Sequence, residues 1–218
     1  RIAFDNTNNR IRHNRDTGVS CGSTPNANSP NSSITQGSWN HVVVVYDASA
    51  NTVTFYINGS LTSTVYQDSA TGGVVSGPMA SGAVSFNGTY DGGVFRIGER
   101  NNNLSTAPLD GRLDQFRIFS VALSADQATE LYTEVQCPCT TNNNDNPTTN
   151  VAYYKLDGNA NDSPSSAYDG TWSGTEAYAY GPYGISGVFN GTNSVITVSS
   201  SLPWSSSFSI SMWLRPDS

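Results

Sequence analysis

The sequence is poor in charge. Asp, Glu, Lys and Arg make up 12% of its 218 residues, Lys155 is the sole lysine, and the formal net charge is −7. Phosphate backbones are gripped by clustered Lys and Arg, so this balance excludes nucleic acid as a main partner. Long apolar runs are missing too. The longest β-branched run is the four valines at 42–45, far short of the roughly twenty apolar residues of a spanning helix, and no membrane insertion is expected. Glutamate is scarce, with only Glu99, Glu130, Glu134 and Glu176. None stands in an alternating acidic strand, as paired carboxylates facing one cleft require, and no Ser, His and Asp set has a nucleophile elbow. The expectation is a protein that is not an enzyme. A starting methionine and a secretory signal are also missing, so Arg1 reads as a processed end or as a cut inside a longer protein.

Cysteine is sparse and odd in number: Cys21, Cys137 and Cys139. The Cys-Pro-Cys spacing is too tight for an easy disulfide between its own ends. Cys21 with Cys137 or Cys139 is the natural pairing, leaving one thiol for another chain or for a partner outside the sequence. A zinc site lacks a fourth ligand at suitable spacing.

Abundant Ser, Thr, Asn and Gly stand in place of charge. Short polar side chains compete with the helical ladder and favour turns and sheet edges, which gives an all-β reading. Residues 39–47 read as a buried strand and Thr52–Asn58 as its alternating hairpin partner. Asn58-Gly59 supplies the next turn. Further strands are expected at Ile2–Phe4, Arg10–His13, Val84–Phe86, Phe95–Ile97 and Leu113–Phe119. After residue 150 they follow at Val151–Leu156 and Phe208–Leu214, with a hairpin of Gly187–Asn190 and Val195–Val198 through Gly191-Thr192-Asn193. One short surface helix is expected over Leu123–Glu134, where Ser124 and Gln127 form a capping box and Ala128, Leu131 and Tyr132 share a face. Residues 137–150, rich in Cys, Asn, Thr and Pro, read as a linker.

The order of motifs resembles the laminin G-like, or concanavalin A-like, jelly-roll family. Trp39-Asn40-His41-Val42, Phe55-Tyr56-Ile57-Asn58-Gly59, Arg96-Ile97-Gly98, Gly111-Arg112-Leu113-Asp114-Gln115-Phe116-Arg117-Ile118-Phe119 and Ala122-Leu123-Ser124 look like the closing half of such a domain, over residues 1–136. Tyr153-Tyr154-Lys155-Leu156-Asp157-Gly158, Asn161-Asp162-Ser163, Asp169-Gly170-Thr171, Gly187-Val188-Phe189-Asn190-Gly191 and Phe208–Leu214 look like the opening half, over residues 151–218. The resemblance implies a two-sheet antiparallel jelly-roll sandwich with one short surface helix, its halves in reversed order. Three arrangements explain the inversion: a window cut from a tandem array, a circular permutation within one chain, or exchange of halves between chains into a filament. Roughly twenty family residues missing between the halves, enough for one or two strands, favour the array. Residues 151–218 alone would expose half a core, so Phe189, Ile196, Ile210 and Trp213 require a cover.

For function, the resemblance implies an extracellular adhesion or binding module, on a cell or virion surface, taking glycan or glycoprotein. The alternative is a structural unit that binds copies of itself or neighbouring repeats in a filament. Asp114, Asp157, Asp162 and Asp169 are the candidates for a structural calcium ion, since hard cations want several oxygens. By resemblance Asp162 and Asp114 are the better two, and turn capping by the same carboxylates is the competing reading. Arg10 and Arg12, on one strand face, could grip an acidic sugar, with Arg15 and His13 beside them; a solvated strand edge is the plainer account. Tyr178 and Tyr180, with Tyr183, Trp172 and Trp204 nearby in sequence, offer flat faces for a sugar ring, against core or rim packing. His41 and Trp39 lie in a core strand, where a satisfied structural histidine is expected.

Overall fold

A computed structural model describes residues 2–13, 26–50, 52–67, 95–98, 108–134, 150–163, 165–200, 202 and 207–217. All three cysteines, Arg15, Glu99, Trp204 and the strand expected at Val84–Phe86 lie outside these residues, as does nearly all of the 137–150 linker.

Among the described residues the protein is β-sheet with a single helix. Its strands are β1 (Ile2–Asp5), β2 (Arg10–His13), β3 (Asn26–Asn28), β4 (Asn40–Asp47), β5 (Thr52–Ile57), β6 (Ser60–Thr62), β7 (Val65–Gln67), β8 (Phe95–Ile97), β9 (Asp110–Phe119), β10 (Asn150–Tyr154), β11 (Gly170–Ser173), β12 (Tyr178–Gly181), β13 (Gly184–Asn190), β14 (Val195–Val198) and β15 (Phe208–Pro216). The helix α1 spans Ala125–Thr133, and the expected box is present, Ser124 Oγ accepting from Gln127 N and the Gln127 side chain accepting from Ser124 N.

The large sheet runs β12-β13-β9-β15-β4-β5-β6, with β10 on β9; two smaller sheets run β1-β2-β3-β7 and β11-β14-β8. Strand alternation sends one side of the large sheet inward. Val42, Val44, Phe55, Leu113, Phe116, Ile118, Ile210, Met212 and Leu214 join Ile11 and Ala27 of the first small sheet and Ile97, Ile196 and Val198 of the second in one core. The smaller sheets therefore form the opposing layer of a concanavalin A-like sandwich. The outer side of the large sheet carries a second cluster, Val43, Val45, Tyr56 and Phe119, under Leu123, Ala128 and Leu131.

Strands from the two parts of the sequence interleave. β15 lies between β4 and β9, paired from Phe208↔Tyr46 to Leu214↔Asn40 on one edge and from Ser209↔Phe119 to Pro216↔Gly111 on the other. β10 and β13 pair with β9, and β14 pairs with β8. Phe189, Ile196 and Ile210 are thereby buried, while Trp213 keeps partial exposure. Gly111 makes the close pairing with β15 feasible: its φ is +147, and a Cβ there would meet Arg215 O at 2.3 Å.

One expectation fails. Gly187–Asn190 and Val195–Val198 are not hairpin partners, since β13 pairs with β12 and β9 whereas β14 pairs with β11 and β8. The reason lies in Asn190, whose Oδ1 accepts from the backbone N–H of Thr192, Asn193 and Ser194 at 3.0, 2.9 and 3.2 Å. That cap turns the chain from one layer to the other instead of folding it back in plane.

Candidate functional site

Among the described residues, four groups of polar or aromatic side chains have the composition to carry chemistry. The first is the arginine strand. Arg10 and Arg12 both reach Asp5 Oδ2, at 2.9 and 2.6 Å, and also donate to Asn31 Oδ1 and Asn28 Oδ1. Burial pushes the Asp5 carboxyl up, but the bonds from Arg10 and Asn8 and both guanidinium charges prevail and hold it low. The two arginines share a strand face as expected, with their forks already engaged inside the chain.

The aspartates fall into two places. Asp162 Oδ1 accepts from Tyr153 N at 3.0 Å, its Oδ2 from Ser165 Oγ at 2.9 Å, and Asp169 Oδ1 accepts from Asp162 N at 2.8 Å. These carboxylates tie down the loop after β10. Asp114 and Asp157 instead brace the β12–β13 turn, Asp114 Oδ2 accepting from Tyr183 N at 3.2 Å and Asp157 Oδ1 from Ile185 N at 3.0 Å. Asp114 is fully buried. Burial pushes its carboxyl up to about 6, the Tyr183 N–H pulls it down, and the Asp157 charge raises it further. A raised carboxyl beside a second carboxylate is the arrangement of a general acid. Access defeats it here, because the β12 backbone lies so close that a Cβ at Gly181 would meet Asp114 Oδ2 at 2.5 Å. The four aspartates do not converge, and among the described residues no three His, Cys, Asp or Glu side chains are grouped to hold a metal ion. A calcium cage made wholly of side chains does not fit.

Sequence reasoning gave no hint of the third group, the buried network on the outer face of β9. Gln115 has φ +52, and the register with β15 shifts across this point between Ser211 and Trp213. A bulge of this kind re-aims side chains, and Arg117 beyond it bonds Glu134 Oε2, Gln115 Oε1 and Tyr153 Oη. Burial would lower the Arg117 pKa, but Tyr153 and Glu134 outweigh it and hold it above the usual value. Nearby, His41 Nε2 lies 3.1 Å from Ser211 Oγ, and the ring packs against Trp213 and Tyr132 at 5.2 and 5.8 Å. His41 is structural as expected, but only half satisfied, since its Nδ1 has no hydrogen bond. Burial, with the Arg117 charge, lowers its pKa to about 3.

The fourth group is the β12–β13 hairpin at the margin of the large sheet. Tyr178 and Tyr180 lie opposite Gly187 and Ile185, and alternation places all four on the inward side with Phe189. The second small sheet covers only part of this row. Trp172 packs against Phe189 with the rings tilted and 5.0 Å apart, and meets Tyr178 edge-on at 5.9 Å. Beyond it Tyr180 is 88% exposed and Ile185 41%. Tyr178 Oη donates to Glu176 Oε1 at 2.6 Å, and burial followed by Glu176 raises its pKa.

A two-layer sandwich with one covering helix is the architecture that the sequence motifs imply. Residues 1–129 match the family model for the concanavalin A-like lectin/glucanases superfamily, in its Laminin G form. The chain belongs to the concanavalin A-like lectin/glucanase superfamily. No curated protein and no solved structure matches the chain. Laminin G-like and concanavalin A-like domains are generally non-catalytic binding modules, and the superfamily has a lectin-like or adhesion-type fold. Among the described residues no helix is long and apolar enough to cross a membrane.

Proposed function

We propose that this concanavalin A-like domain is a non-catalytic, extracellular binding module that takes a glycan or glycoprotein against the β12–β13 hairpin. The observation that carries the reading is Tyr180, a ring 88% exposed at the end of a row of aromatics. An exposed tyrosine face suits the apolar face of a sugar ring, and Trp172 behind Tyr178 stiffens the platform. Glu176 and the tyrosine hydroxyls supply polar groups at the rim. The fixed hairpin turn, braced by Asp114 and Asp157, keeps the platform preorganised, which lowers the entropy lost on binding. A structural calcium ion, in this reading, belongs at Asp114 and Asp157, completed by oxygens other than carboxylates.

A glycan array probed with the wild type and with Tyr180→Ala tests the proposal. Specific binding by the wild type and its loss in the variant, with an unchanged melting temperature, is the expected result. Equal array patterns for the two proteins would remove the hairpin from the account.

A second reading, a filament built by exchange of half-sandwiches between copies, draws on the position of β15. That strand, contributed by the later part of the chain, fills the slot between β4 and β9. Sedimentation velocity across a hundredfold range of concentration separates the readings: long polymers favour exchange, and a single monomeric species refutes it.

A further inference from the structure

The outer side of the large sheet holds two arginines directly opposite each other. Arg112 of β9 pairs in register with Arg215 of β15. Their neighbours Leu113 and Leu214 point into the core, so both arginines point outward. Cβ atoms of directly opposed residues lie about 4.5–5.5 Å apart, and like charges so placed repel. Three other described arginines are neutralised locally. Arg10, Arg12 and Arg117 each meet a carboxylate at hydrogen-bond distance.

The local partners of the opposed pair are weak. Arg112 donates through one terminal nitrogen to Tyr180 O at 3.4 Å. Arg215 Nε stands 3.4 Å from Asp217 Oδ1, an ion pair without hydrogen-bond geometry in which both side chains keep about a third of their exposure, 30% and 37%. The Nε atom of Arg112 is screened from solvent and bonded to nothing. Asp114, next on the same face of β9, bonds neither guanidinium: its Oδ2 accepts from Tyr183 N, and its Oδ1 has no hydrogen-bond partner.

We propose that Arg112 and Arg215 form an oxyanion-binding site for a sulfate or carboxylate group, held between two guanidinium forks on the outer face of the large sheet. Two forks presented side by side match the oxygens of such a group and remove the repulsion between them when it binds. Asp217 competes for Arg215 in the empty state. The site lies on the opposite side of the sheet from the Tyr178 and Tyr180 side chains; Arg112 touches that hairpin through Tyr180 O, and Arg215 does not contact it in the bonds described, so Arg215 is the position varied.

The test uses the whole protein and three probes: sodium sulfate against sodium chloride at equal ionic strength, a sulfated disaccharide, and its unsulfated counterpart. Melting temperature and isothermal titration are read for the wild type, Arg215→Gln, Arg215→Lys and Asp217→Asn. Sulfate is expected to raise the wild-type melting temperature in a saturable way that chloride does not match. Arg215→Gln should weaken binding by about tenfold or more, the loss of one charge-assisted contact. Arg215→Lys, which keeps the charge and loses the fork, should weaken it less, and Asp217→Asn should tighten it severalfold. Tighter binding of the sulfated disaccharide than of free sulfate assigns the group to a saccharide; equal binding assigns a free anion. Identical responses to sulfate and chloride, or a sulfate response unchanged in Arg215→Gln, overturn the proposal. Neutral-glycan binding in Arg215→Gln should remain at the wild-type level, which keeps this site separable from the hairpin.

Discussion

Replacing Asp114 with Asn should stabilise the protein at neutral pH. The Asp114 carboxyl is fully buried and burial raises its pKa to about 6, against an ordinary value of 3.8. A folded-state pKa above the unfolded one means that the folded protein binds the proton more tightly. The resulting stabilisation is complete below about pH 4 and is lost as the pH rises through about 6. Roughly two pH units at 1.36 kcal/mol each give a penalty of at most about 3 kcal/mol for the ionised group. Asparagine of the same shape can still accept from Tyr183 N, and it never ionises. The variant should therefore match the wild type near pH 4 and exceed it above pH 7 by up to about 3 kcal/mol, roughly 6–12 °C in melting temperature for a domain of this size. Thermal melts followed by circular dichroism from pH 4 to 8, with chelator present, measure the difference. Because both proteins carry His41, its own pH dependence cancels. Parallel curves for the two proteins across the whole range would refute the reasoning.

Further outcomes follow from the same contacts. His41, its pKa lowered to about 3 by burial and by Arg117, should stay neutral at pH 5, and a ring titration by NMR with a midpoint near 6 would contradict its buried place. Arg117→Met should cost about 2–3 kcal/mol in denaturant unfolding, because Glu134, Gln115 and Tyr153 lose a shared donor. Ser124→Ala removes half of the capping box and should cost about 1 kcal/mol by the same measurement. Gly111→Ala puts a Cβ 2.3 Å from Arg215 O at φ +147 and should lower the melting temperature more than any of these. Excess chelator should lower the wild-type melting temperature by several degrees, and Asp114→Asn should abolish that sensitivity if Asp114 holds calcium.

The parts of the fold visible from sequence were those with a period. The valine strand with its hairpin partner, the Asn58-Gly59 turn that follows them and the capped helix each carry a local pattern that packing does not override. Of the three-residue strands, β8 shows apolar–polar–apolar alternation in Phe95-Arg96-Ile97, whereas β3, β6 and β7 have no two apolar residues two positions apart and so carry no alternation to read. The β13–β14 crossing was misread because Gly191-Thr192-Asn193 has the composition of a hairpin turn, whereas the outcome was decided by which side-chain oxygen gathers the loop amides. The aspartates and tyrosines were identifiable as residue types. Their grouping was not, since Asp114 and Asp157 meet only through a turn formed by residues 182–184. The Gln115 bulge has no signal in composition, and with it the Arg117 network stayed hidden.

Placing β15 in the middle of its sheet has a kinetic consequence during synthesis. Asn40 and Leu214, joined across adjacent strands, are 174 residues apart in the chain. At roughly 5–20 residues per second, the interval between completing β9 and completing β15 is on the order of 5–20 seconds. Through that interval the two flanking strands offer bare edges and greasy faces to anything nearby. The emerging polypeptide should accordingly lean on chaperones until its late strand slides into place, then gain most of its cooperativity in one step.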